Sequence, residues 1–176
     1  MKNIMLDIET LGTEPGCVIL SIGAVEFDDD SLGNSFEVNI DPESCTEAGL
    51  KIEPRTVMWW LEQDDAARKS LSNSNALPLD EALVGLTKAF DWQGAKVWCN
   101  GASFDFPILA AAYSAFNADT PWKYYDTMDF RTLKNLVSRK VYSECKSESE
   151  VKHNALADAI AQAETTVRLL QRLKVQ

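Results

Sequence analysis

The chain has 176 residues, 45% hydrophobic and 25% charged, and a formal net charge of −10. That length reads as one domain, 1–176, large enough for a real core, with the composition of an ordinary globular protein. The excess of 27 acidic over 17 basic side chains argues against coating long nucleic acid through non-specific phosphate contacts. It does not argue against gripping a strand end through metal ions.

The amino terminus, "MKNIMLDIET", carries only a short apolar run before Asp7, too short for a signal peptide or a membrane span. A cytoplasmic protein with no membrane partner is expected. Cysteines 17, 45, 99 and 145 lack CxxC spacing and read as reduced thiols. With a single histidine, His153, no set of four zinc ligands exists, so any metal would be an oxygen-loving one.

In chain order, residues 4–9 alternate Ile4, Leu6 and Ile8 against Met5, Asp7 and Glu9, the period of a strand. Residues 17–27 are apolar on both faces and suit a central strand. The turn signal "DDDSLGN" leads into a third strand over 35–40, giving an antiparallel meander. Helices follow over "PRTVMWWLEQ", with Pro54 in the first turn, and over 78–91. "AKVWCN" is a short strand, "FDFPILAAAYSAF" starts a helix near Pro107, and "DFRTLKNLV" forms another with Asp129 as its cap. Residues 138–152 are polar without a period and read as a mobile loop or plain surface connection ending at His153. The last helix runs from about Asn154 to Leu173. These elements predict an α/β fold: a mixed central sheet, a three-strand antiparallel meander plus further strands, flanked by helices.

Four acids stand out. Asp7 and Glu9 project from one strand face, with Cα atoms about 6.6 Å apart; on a solvated edge strand that is unremarkable. Asp105 sits near a helix start, where an acid is favoured by the dipole, yet strand ends also gather ligand sites. Asp158 lies in "ALADAIAQA", polar only at Asp158 and Gln162. A helix apolar nearly all round is a buried helix, and its alanines permit close backbone approach. Asp158 therefore reads either as an ordinary wet-face residue behind an Asn154 cap, or as a buried acid that needs a cation. His153 cannot share its helical face and belongs to the preceding loop. Were the four acids to converge, each pair 5 Å apart would repel by roughly 3 kcal/mol at a dielectric near 20; magnesium or manganese would relieve the strain.

"DIET" (7–10), "NGASFD" (100–105) and "HNALAD" (153–158) resemble, in order, the three motifs of the DEDDh 3′-to-5′ exonucleases. "RTVMWWLEQ" and "FRTL" are similar to a branch encoded by bacteria, phages and prophages. The resemblance spans nearly the whole chain and implies the ribonuclease H-like fold. It implies that Asp7, Glu9, Asp105 and Asp158 ligate two divalent ions, Mg²⁺ or Mn²⁺, with His153 as general base and all five residues catalytic. It implies a partner, the 3′ end of DNA or RNA, single-stranded or with a short overhang, cut to nucleoside 5′-monophosphates. Leu11 resembles the family's apolar contact to the terminal base, and the Thr10 backbone would hold the 3′-hydroxyl; a simple turn there reads equally well. Asn100 and Phe104 would shape the second motif. Arg131 would bind phosphate or pair with Asp129. Trp59 and Trp60 could stack bases, although their helical spacing favours core positions. Relatives often dimerise, so a homodimer is an expectation.

Three alternatives are weighed. A non-catalytic binding module on the same fold predicts a lost acid, and none is missing. A proofreading subunit shares the motifs, but few residues follow Asp158 for docking a polymerase. A cysteine hydrolase built on Cys99 or Cys145 lacks a nucleophile motif.

Overall fold

Strand β1 (Asn3–Thr10) is the predicted first strand, one residue longer at each end. It pairs antiparallel with β2 (Ile19–Phe27), placing Asp7 opposite Gly23, and β2 pairs antiparallel with β3 (Leu32–Asn39). β3 begins inside the predicted turn, because the Asp28 carboxylate accepts the backbone N–H groups of Asp30 and Ser31 and closes the hairpin early. Helices α1 (Pro42–Glu47), α2 (Pro54–Leu61), α3 (Asp65–Ser70) and α4 (Leu79–Ala89) lead to β4 (Lys96–Cys99). Then come α5 (Asp105–Ala115), a 3₁₀ turn at Tyr124–Asp126, β5 (Thr127–Asp129), α6 (Phe130–Asn135), α7 (Arg139–Cys145) and α8 (Ala155–Lys174). This computed structural model describes residues 2–70, 75–149 and 153–174.

The sheet order is β3-β2-β1-β4-β5, with β4 and β5 parallel to β1, so the mixed sheet flanked by helices is present. The alternation in β1 assigns its two faces. Ile4, Leu6 and Ile8 enter a core with Ile22, Leu86 and Leu109. Met5 enters a second core on the opposite face, with Trp98, Phe130, Ala159 and Ala163. Asp7 and Glu9 therefore share the side of the sheet that α8 covers.

The alanines of α8 do what their spacing suggests. Ala155, Ala159 and Ala163 are all buried, a stripe repeating every four residues that lets the helix lie close to β1 and β2. Contact is tightest at Gly23, where a Cβ would fall 2.2 Å from the backbone of Ala155 and Leu156. Glycine is there because the helix start occupies the space a side chain would need.

Two further predicted elements change. The loop expected over 138–152 contains α7, capped by the Ser138 hydroxyl accepting the Val141 N–H. Its end is tied to α8, where the Arg168 guanidinium donates to the Cys145 carbonyl at 3.3 Å. Docking of the buried Cys145 organises a segment too short to show a period; residues 150–152 of that span lie outside the described residues. Helix α5 starts at Asp105 rather than near Pro107, since proline is tolerated in a first turn whose amides need no helical partner. Among the described residues no helix is long and apolar enough to cross a membrane.

Candidate active site

A cavity of about 550 Å³ opens where β1, α5 and α8 meet, and Asp7, Glu9, Asp105, His153 and Asp158 all line it. Three separate chain segments supply them. β1 presents Asp7 and Glu9 two residues apart on one face, and a register shift between Glu9 and Thr10 bends the strand there, as bulges beside binding sites commonly do. Asp105 opens α5 and is 3% exposed. Asp158 occupies the first turn of α8, and His153 precedes that helix.

Asp158 corrects one sequence expectation: it is half-buried rather than buried. Both readings of its segment hold in part. Asn154 does cap α8, its side-chain oxygen accepting the Ala157 N–H at 2.8 Å. Asp158 nevertheless faces the cavity, and its Oδ2 accepts the backbone N–H of His153 at 3.1 Å. His153 has φ of +58°, a left-handed conformation adopted by only a few per cent of non-glycine residues, histidine among the more frequent, and this turn brings its ring over the acids. Glu9, His153 and Asp158 each offer a ligand atom within 4.8 Å of the others.

Crowding shows in the acidities. Asp7 is held well above the ordinary aspartate range, first by burial, then by the charges of Asp105 and Glu9. Glu9 is pushed up to about 8 by burial, then by Asp158 and Asp105. Burial also lifts Asp105 to about 7, against hydrogen bonds from its own backbone, the Cys99 thiol and the Ile8 backbone, and against the Arg131 charge. Carboxylates that raise each other's pKa make a site where bound positive charge is favoured. Burial pushes the Cys99 thiol far up as well, which removes it as a nucleophile. All four cysteines are free and buried.

The remaining predicted residues separate. Phe104 lines the large cavity and also an adjoining one of about 350 Å³, together with Glu9, Thr10, Trp59, Trp60 and Arg55. The Thr10 carbonyl accepts the Trp60 indole N–H at 2.8 Å. Asn100 lines the large cavity, and its side-chain oxygen is buried with no hydrogen-bond partner among the described residues. Arg131 also lines it; its guanidinium donates to the Asn100 carbonyl at 2.9 Å, while only its backbone N–H bonds to Asp129. Leu11 is half-buried, packs against the main core and is not among the residues lining either cavity; its backbone is held between Val18 and Glu53.

One neighbour escaped the sequence reading. Gln162 donates from Nε2 to Asp7 Oδ1 at 2.9 Å, and its Oε1 is buried with no partner among the described residues. It sits one helical turn beyond Asp158, so the four-residue spacing of the only polar positions in that run was the available signal. The two tryptophans also differ. Trp60 is core, 5% exposed, whereas Trp59 is 40% exposed and meets the His153 ring edge-on at 5.1 Å between centroids.

The mixed five-stranded sheet flanked by helices is the ribonuclease H-like α/β fold of solved DEDDh exonucleases. Two solved structures share the fold. The nuclease domain of 3′hExo, a DEDDh family member bound to rAMP, has a TM-score of 0.59 at 14% identity, covering 97% of this chain and 92% of that one. Exonuclease X in complex with 5′ overhanging duplex DNA has a TM-score of 0.57 at 14% identity, covering 98% and 90%. An exodeoxyribonuclease of Enterobacteria phage T4 is 26% identical over 166 residues, 75% of this chain and 70% of its own. The family model of the 3′-5′ exoribonuclease Rv2179c-like domain matches residues 2–170. The chain belongs to that family and is a DEDDh-type 3′-5′ exonuclease. DEDDh exonucleases use divalent metal ions, and a set of carboxylate oxygens beside one imidazole suits such hard cations.

Proposed function

We propose that the chain removes nucleoside 5′-monophosphates one at a time from the 3′ ends of single-stranded or short-overhang nucleic acid. The convergence of five side chains from three segments on one cavity carries the reading. Asp7, Glu9, Asp105 and Asp158 would hold two ions, Mg²⁺ or Mn²⁺; burial and neighbouring carboxylates hold the pKa values of Asp7 and Glu9 above the ordinary range, burial does the same for Asp105, and bound cations would relieve that cost. Bound there, such ions supply Lewis acidity toward the phosphoryl oxygens and offset the charge that builds during an in-line displacement.

The chain's own residues do the rest. His153 takes the proton of the attacking water, a task suited to an imidazole near neutral pH. The edge of Trp59 and the hydrogen bond from the His153 backbone to Asp158 hold that ring toward the acids. Gln162 fixes one oxygen of Asp7, leaving the other turned to the cavity. The adjoining cavity, walled by Thr10, Trp59, Trp60 and Phe104, seats the terminal nucleoside, with the Thr10 backbone near its 3′-hydroxyl. Asn100 shapes the entrance, and Arg131 meets a phosphate.

The test uses 5′-labelled single strands and duplexes of DNA and of RNA with Mg²⁺ or Mn²⁺, with and without EDTA. A ladder shortening from the 3′ end is expected, abolished by EDTA and by Asp7→Ala and strongly slowed in His153→Ala. A ladder that survives EDTA rules out the metal mechanism, and full activity in His153→Ala removes its role as base. Binding without cleavage on every substrate would point instead to a binding module.

A further inference from the structure

The large cavity does not end at the acids. It continues along a wall built by α6 and the segment after α7, where Arg131, Lys134 and Lys146 line it. In a chain of net charge −10, three cations on one wall opposite a cluster of carboxylates is a polarised arrangement. Arg131 and Lys134 lie three residues apart on α6, hence on one face with Cβ atoms about 5–6 Å apart. Neither is in an ion pair with a carboxylate among the described residues. Lys134 Nζ instead rests 5.7 Å from the centre of the Tyr142 ring, which props the ammonium at the cavity edge. Lys146 is partnered at 2.8 Å by Glu148, itself on the cavity wall.

The wall is anchored. The Ser147 N–H donates to Thr165 Oγ1 at 2.9 Å, the Arg168 guanidinium reaches the Cys145 carbonyl, and Arg172 pairs with Glu144. These bonds fix the segment after α7 to the same helix that carries Asp158, so the cations stand at a set distance from the acids. A cavity with acids at one end and cations along the other fits a ligand that meets positive charge at one point and repeats its own negative charge beyond it.

We propose that Lys134 and Lys146, continuing from Arg131, form a phosphodiester-binding subsite for the strand on the 5′ side of the scissile bond. The inference rests on the exonuclease reading above and narrows its substrate: a single-stranded polynucleotide reaching at least two phosphates past the cut, in preference to a lone nucleotide ester. Recognition of phosphate positions a strand without reading its bases, so the subsite is indifferent to sequence.

The experiment compares the native chain with Lys134→Ala, Lys134→Arg and, as a distant control, Lys88→Ala on α4. Kinetics use a single strand of about 12 nucleotides and, separately, the p-nitrophenyl ester of thymidine 5′-monophosphate, which has no upstream phosphodiester. Lys134→Ala should raise KM for the strand roughly 3- to 10-fold, with kcat and hydrolysis of the small ester within about twofold of native, and Lys134→Arg should restore it. Binding of the labelled strand by an Asp7→Asn background gives a readout without turnover; there Lys134→Ala should lower the slope of log affinity against log salt by about 0.7, one phosphate contact on a single strand. An unchanged KM and salt slope, an equal loss on both substrates, or the same KM rise in Lys88→Ala would each overturn the subsite. Absence of hydrolysis of either substrate by the native chain would instead sink the exonuclease reading, while the salt slope would still decide the wall.

Discussion

Gly23→Ala tests how the site is held together without replacing any residue that lines it. The new Cβ would lie 2.2 Å from the backbone of Ala155 and Leu156, where ordinary contact begins near 3.4 Å. Backbone cannot swing aside as a side chain can, so the start of α8 must retreat by about 1.2 Å or the strand must bow; overpacking of this kind costs about 1–3 kcal/mol. For a chain of this size that lowers Tm by roughly 3–10 °C, leaving a folded protein. The retreat carries Asp158 and His153 away from Glu9, and a misplacement near 1 Å can cost about 100-fold in rate. Activity should therefore fall far more than stability. The assay is kcat/KM on a labelled single strand beside thermal unfolding, with Gly85→Ala as control, since a Cβ there meets only the Phe36 ring at 3.3 Å. Native kcat/KM in Gly23→Ala would refute the reasoning, because it would mean that the helix start does not set the site.

Three further outcomes are expected. The folded protein keeps protons on Asp7, Glu9 and Asp105 that the unfolded chain releases at ordinary carboxylate pH; stability from these groups is therefore full at low pH and is lost as pH rises toward about 8. In EDTA, their contribution should lower the urea midpoint across that window, and Mg²⁺ should reduce the fall; a midpoint that climbs through neutrality would contradict the assignment. Gln162→Leu removes the hydrogen bond that orients Asp7 and should weaken Mn²⁺ binding about 10- to 100-fold by titration calorimetry. Equal affinity would make Gln162 a mere space-filler. Trp59→Ala, at a half-open position, should leave Tm nearly unchanged yet lower kcat by about tenfold, part of the ~10²–10⁴ that a placed general base supplies, with Trp59→Phe recovering most of it.

Much of the site was legible because its chemistry fights its surroundings. Two acids on one face of a strand, and one acid in an alanine-rich helix, are local facts that period and polarity expose. The same alternation that separated Met5 and Asp7 from Leu6 proved to divide the two cores. What stayed hidden depends on contacts far apart in sequence. Nothing near Gly23 announces that the backbone of Ala155 fills the space beside it. The segment 139–145 has no readable period and becomes helical through docking of Cys145 onto α8. Trp59 and Trp60, adjacent and alike in composition, both meet the His153 ring edge-on, and part company only when the fold buries the second and leaves the first 40% exposed. Asp158 was expected to be deeper than it is, since a stripe of alanines tells how close a helix lies but not how far its flank is covered.

The hydrogen bond between Gln162 and Asp7 joins residues 155 positions apart. A centre spanning such a distance needs both ends of the chain packed together: with the final helix undocked, His153 and Asp158 would be parted from Asp7, Glu9 and Asp105. Any condition that frees that helix should therefore stop cleavage, and it would also open the core that α8 shares with β1 and β2.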